Sequence, residues 1–203
     1  MIDQKFFYDT IRSSLFGGRI RPNQFIGLQA ILTEWDANYS NIDLRFLAYM
    51  LATVHHETDK TFQPLEEYGK GKNYDYGRKL KMGKGPGKRI PYTTPNKLYY
   101  GRGFVQLTWY ENYAKVAKKL SIDCLENPEI VMQLPIATTI LMRGMMEGWF
   151  TGKKLKQYFS KKNGKLYSDW IQARRIINGK DKANLIKDFA LKYYNAIQHV
   201  VSV

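Results

Sequence analysis

The chain has 203 residues, of which 44% are hydrophobic and 25% charged, and its formal net charge is +14. These proportions are near globular averages and exclude wholesale disorder. The lone cysteine, Cys124, excludes an internal disulfide and a Cys-rich zinc site.

No run reaches the roughly 18 apolar residues of a membrane-spanning helix, so none is expected. The first residues, Met1-Ile2-Asp3-Gln4-Lys5, lack a basic head followed by an apolar run. No signal peptide is expected, and synthesis in a reducing compartment follows. The positive charge is local. Residues 1–56 balance five basic against five acidic side chains, residues 70–89 hold eight basic and one acidic, and residues 153–165 hold six lysines and no acid. Such clusters serve either as a solvated surface or as a seat for a polyanion: nucleic acid, an anionic membrane or an acidic wall polymer.

In chain order, Phe6, Phe7, Ile11 and Leu15 predict a helix over 2–16, ended by Gly17-Gly18. Pro22 suits the first turn of a second helix that runs to about residue 36. Asp43 is a candidate N-cap for a third, from Leu44 to about Thr58. Its apolar stripe is Leu47, Met50, Leu51 and Val54, and Glu57 is the next position on it. Residues 59–100 read as an irregular excursion with room for a small hairpin. Helical spacing resumes over 104–120, 135–148, 168–178 and 181–198, with Asn163-Gly164 and Asn178-Gly179 as breaks.

Nucleotide and metal motifs fail. Gly101-Arg102-Gly103 has Gln106 where a third glycine belongs, and His56-Glu57 has Lys60 where a zinc helix needs histidine. The three histidines are too scattered for a metal cage, so neither metal nor organic cofactor is expected. The carboxylates carry more. Burial and the negative end of a helix both raise a carboxylate's pKa, the condition of a general acid, so Glu57 is a candidate; a capped or salt-bridged glutamate is the competing reading. Glu66 and Glu67 follow Pro64 in a polar loop where a carboxylate stays ionised. An acid and an ionised base are the pair a glycosidase uses. Tyr99, Tyr100, Trp109 and Tyr113 add flat apolar faces, and Gln106, Thr108 and Asn112 add polar groups, a mixture that suits sugars.

These segments together resemble glycoside hydrolase family 19, which contains plant-type chitinases and many bacteriophage endolysins. His56-Glu57-Thr58 is similar to the family's His-Glu-Thr around its general acid. Tyr99 to Tyr113 is similar to its Tyr-Gly-Arg-Gly-x-x-Gln-Leu-Thr-Trp-x-x-Asn-Tyr segment. The flanks resemble the phage endolysin branch: Phe62-Gln63-Pro64-Leu65-Glu66-Glu67-Tyr68-Gly69, Gly148-Trp149-Phe150-Thr151-Gly152 and Ala173-Arg174-Arg175-Ile176-Ile177-Asn178-Gly179. Where the family often has Gly-Gly after His-Glu-Thr, this chain has Asp59-Lys60.

The resemblance implies a mainly α fold, α+β with at most a small hairpin, of the lysozyme-like two-lobed type. Residues 1–203 are then one catalytic domain without a separate wall-binding domain. It implies Glu57 as general acid, Glu67 as the base that activates water, with Glu66 as fallback, and Thr108 as a holder of that water. His56, Tyr100, Arg102, Gln106, Trp109, Asn112 and Asn178 are the expected substrate-binding set. The implied reaction is inverting hydrolysis of peptidoglycan glycan strands by a monomeric enzyme. It would be made in the host cytoplasm and reach the periplasmic wall after holin-dependent release. Lipopolysaccharide or the outer membrane is a further expected partner of the basic clusters; nucleic acid is not. The competing functions are chitin hydrolysis and a basic nucleic-acid- or wall-binding module without catalysis.

Overall fold

The computed structural model describes residues 2–71, 80–82, 89–91 and 98–199. The basic residues Lys72, Arg78, Lys79, Lys84 and Lys88 lie outside the described residues. Two compact units emerge, one from Met1–Gln63 with Met142–Val203 and one from Pro64–Leu141.

The first unit is helical. Helix α1 spans Gln4–Leu15 behind Asp3, whose carboxylate accepts the Phe6 N–H. It stops where predicted, with Gly17 and Gly18 at φ 59° and 91°. Helix α2 spans Pro22–Asn38 and α3 spans Leu44–Glu57. Asp43 caps α3 through the Arg45 N–H at 3.0 Å. Helix α3 is buried from Leu47 through His55, because every side of it meets protein. It packs on α6, Ala183–Ile197, through the buried Ile186, Ala190 and Tyr193, and Ala48 and Ala52 leave space for a close approach.

A hairpin that the spacing does not anticipate, β5 (Phe159–Lys162) with β6 (Lys165–Ser168), completes this unit. Asn163 and Gly164 turn it at φ 49° and 77°, the positive values a two-residue type I′ turn needs. Buried Arg45 anchors it by pairing with Asp43 and donating to Tyr167 O at 2.7 Å, Ser168 Oγ at 2.7 Å and Ser160 O at 3.2 Å.

The second unit holds two more antiparallel pairs. Strand β1 (Leu65–Glu66) pairs with β4 (Arg102–Gly103), and β2 (Leu80–Met82) pairs with β3 (Arg89–Pro91), the hairpin expected in the irregular stretch. Helix α4 covers only Tyr110–Leu120. Residues 104–109 are not helical as expected, because Leu107 bridges back to Arg102 and both Gln106 and Trp109 take positive φ, 51° and 74°. Tyr99, Phe104, Leu107, Tyr113, Val116 and Val131 form its core. Helix α5, Leu134–Glu147, begins in this unit and ends in the first. The helix expected over 168–178 is reduced to a 3-10 turn, Gln172–Ile176, since Ser168 closes the hairpin before it. The fold is mainly helical, as expected, with six α-helices and three two-stranded sheets among the described residues.

Candidate active site

In the first unit, Glu57 ends α3. Its side chain is 15% exposed, and Oε1 accepts from Arg174 Nη1 at 2.6 Å. The expected apolar shelter is therefore corrected: the carboxylate is ion-paired, as the competing reading has it, with a guanidinium that is itself 4% exposed. Arg174 is fixed in turn by donating Nε–H to Asp181 O at 3.0 Å. Oε2 of Glu57 makes no hydrogen bond with a described residue. Thr58 closes the helix: its hydroxyl donates to Val54 O at 2.7 Å and accepts the Phe62 N–H at 3.1 Å. His56 is half-buried in the same turn. Asn178 is exposed, and its backbone N–H donates to Arg174 O at 3.1 Å, so it belongs to the turn that carries Arg174.

The remaining expected site residues gather in the second unit. Glu67 exchanges two hydrogen bonds with Gly101: its N–H donates to Gly101 O at 2.8 Å, and its Oε2 accepts the Gly101 N–H at 3.1 Å. Glu66 accepts from Tyr100 Oη–H at 2.7 Å and Lys70 Nζ at 3.0 Å, and Arg102 Nε lies 3.6 Å away. The tyrosine hydrogen bond first, then Lys70, holds its carboxyl below the usual carboxylate range. Burial first, then that hydrogen bond to Glu66, pushes the Tyr100 phenol up.

Arg102 is buried under this group. It donates to Leu98 O at 3.0 Å and to the Tyr113 hydroxyl at 3.1 Å, and it lies 3.6 Å over the Tyr100 ring. Its place is that of a brace for Tyr100 and Glu66. Gln106 donates Nε2–H to Leu65 O at 3.1 Å. Its Oε1 would lie 2.6 Å from a Cβ added at Gly101, so a larger residue there would displace the Gln106 amide. Thr108 Cγ2 touches the same spot at 3.3 Å, Asn112 Nδ2 donates to Thr108 O at 2.9 Å, and the Trp109 N–H donates to Tyr99 O at 2.9 Å. Eight expected site residues thus form one connected group: Glu66, Glu67, Tyr100, Arg102, Gln106, Thr108, Trp109 and Asn112.

The family model described as chitinase class I, of glycoside hydrolase family 19, matches residues 25–161, more than half of the chain. The chain belongs to glycoside hydrolase family 19. It is similar to an endochitinase of Arabidopsis thaliana, 33% identical over 132 residues, which cover 64% of this chain and 42% of the relative. The chain spans about half the length of such plant relatives. Its fold is similar to that of chitinase C from Streptomyces griseus, with TM-score 0.52 and 18% identity over 100% of this chain and 78% of the other. A bacterial family 19 chitinase gives TM-score 0.52 at 21% identity, over 97% and 94%.

Chemically, this family 19 chain offers a sheltered carboxylate with one oxygen anchored on a guanidinium, and a second, polar carboxylate pair braced by Tyr100 and Arg102. Arg174 is the residue whose role sequence reasoning missed. It stands 117 positions from Glu57, and no spacing rule links the two.

Proposed function

We propose that this chain is a glycoside hydrolase that cuts the glycan strands of bacterial peptidoglycan and acts as a phage endolysin. The observation that carries the reading is Glu57, sheltered at the end of α3 with Arg174 on one oxygen, in a family 19 chain. Protonated on the other oxygen, Glu57 gives its proton to the glycosidic oxygen. Arg174 then holds the carboxylate left behind. Glu67 takes a proton from the attacking water, Thr108 helps to hold that water, and the product is inverted. Glu66, held by Tyr100, Lys70 and Arg102, supports its neighbour. The +14 charge favours an anionic wall polymer. The enzyme would reach that wall from the host cytoplasm through a holin-made opening.

The test is release of reducing ends from purified peptidoglycan. Glu57→Gln keeps the shape and removes the transferable proton, so activity should fall about 10²–10⁴-fold. Glu67→Gln should fall comparably and Glu66→Gln less. A folded Glu57→Gln variant with wild-type activity would overturn the reading; a larger loss in Glu66→Gln than in Glu67→Gln would move the base to Glu66. Similarity to a plant endochitinase favours chitin as the second reading. Faster turnover of a soluble chitin oligomer than of peptidoglycan would select it.

A further inference from the structure

The turn that follows Glu57 opens onto a cavity that the glycosidic chemistry leaves unused. It lies within the first unit, is open on one side with a volume of about 540 Å³, and is lined by the exposed Arg19, Arg21, Asp59 and Lys60 and by Gln24, among others. That volume is within the range of ligand pockets. Three cationic residues and one acidic residue line it, and none of Arg19, Arg21 and Lys60 makes an ion pair with a described residue.

The backbone that presents these groups is tightly held. Asp59 and Lys60 sit at φ 44° and 65°, a region that favours glycine. Glycine would make this turn without strain; the chain places an acid and a cation there instead. The Lys60 N–H donates to His55 O at 2.8 Å. Gln24 clamps the other side, with Nε2–H donating to Lys60 O at 3.0 Å and Oε1 accepting the Arg21 N–H at 2.7 Å. One amide thus ties the backbone of Lys60 to that of Arg21, and the two charges keep a fixed base.

We propose that this cavity is a subsite for a carboxylate of an acidic peptide, in the substrate the short peptide branch carried by the glycan. The proposal rests on the peptidoglycan reading above. Arginine forks match a carboxylate with two parallel hydrogen bonds, and two charges in excess make the pocket attractive to an anion. Chitin offers no anion, so the subsite separates the wall glycan from it.

The test uses the full chain carrying Glu57→Gln, so that ligand is bound and not cut, and isothermal titration calorimetry. The probes are a disaccharide tetrapeptide with free carboxylates, the same compound with its carboxylates amidated, and inorganic phosphate. The free acid should bind at least about tenfold more tightly than the amide. Arg19→Gln with Arg21→Gln should erase that difference, and Lys60→Gln should reduce it, because Gln24 holds only the Lys60 backbone. An unchanged unfolding midpoint certifies the fold of these surface variants. Equal affinity for acid and amide, or a preference that survives both variants, overturns the proposal. Competition by phosphate at equal concentration overturns the assignment to a carboxylate. A wild-type chain that leaves peptidoglycan uncut while the preference persists would overturn the glycosidase reading and keep the subsite; cutting without the preference overturns the subsite alone.

Discussion

His55 and Glu57 stand two residues apart on α3, and their surroundings differ in kind. Glu57 keeps an ionic partner, whereas His55 is enclosed by the rings of Phe16, Phe62, Phe189 and Tyr193. Its Nδ1 meets the Tyr193 hydroxyl at 2.8 Å, and its buried Nε2 has no hydrogen-bond partner among the described residues. Burial, reinforced by Lys60, pushes the imidazole down to about 4. In the unfolded chain histidine has its ordinary value near 6.5 and takes up a proton that the folded chain refuses. Stability is therefore complete above about pH 6.5 and is lost as pH falls toward 4, by about 3 kcal/mol over the interval at roughly 1.4 kcal/mol per pH unit. Carboxylates held low, such as Asp43 and Glu66, lose their contributions further down, below about pH 4.5. Denaturant unfolding between pH 6.5 and 4.5 should show the slope in the wild type and a flat line in His55→Phe. A slope that persists in the variant would remove His55 as its source.

At the scale of elements, the segment after α3 is seated on α2. Gln63 Nε2–H donates to Asn23 O at 2.6 Å, and a Cβ added at Gly27 would stand 1.7 Å from Phe62 O. In an open helix, Gly→Ala gains about 1 kcal/mol from propensity. Here the obstacle is a backbone carbonyl held by the Thr58 and Gln63 contacts, and overpacking costs about 1–3 kcal/mol. The clash wins, so Gly27→Ala should lower the thermal midpoint by several degrees. Gly179→Ala, with nothing within 4 Å of its Cβ, should leave it unchanged. Equal midpoints for Gly27→Ala and wild type would mean that the loop yields at no cost. The same segment shows what sequence reveals and hides. Helices α1, α2, α3, α5 and α6 are legible because each repeats apolar residues at helical spacing. Leu107, Tyr110 and Tyr113 keep that spacing too, yet the backbone reverses at Gln106 and Trp109 to bring Gln106 onto Leu65, a long-range demand that spacing does not encode. Asn163-Gly164 is a hairpin signal, but the lysines beside it replace the alternating apolar residues that make such a turn recognisable. Glu57 is readable from its place on a stripe; the guanidinium it meets comes from the far end of the chain.

For the molecule as a whole, charge is the property that no single contact explains. The +14 excess includes Lys153, Lys156, Lys161 and Lys165, all exposed along the β5–β6 hairpin and the segment before it. Charge of this kind contributes little to holding the fold and much to encounter with a polyanion. Its reach is set by salt, with a screening length of about 30 Å at 0.01 M and about 8 Å at 0.15 M. Wall fragments carry many carboxylates, so their capture should weaken as salt rises, whereas a neutral chitin oligomer has nothing for these lysines to attract. Initial rates on peptidoglycan should therefore drop several-fold between about 0.01 and 0.15 M salt, chiefly through a rising KM. Rates on the neutral oligomer, if it is cut, should stay level. Replacing the four hairpin-region lysines by glutamine should flatten the salt curve on peptidoglycan and leave kcat in place. Salt-independent rates on peptidoglycan would sever the basic surface from wall capture, and a flat kcat with an unchanged salt curve in the four-lysine variant would move the responsible charge elsewhere on the chain.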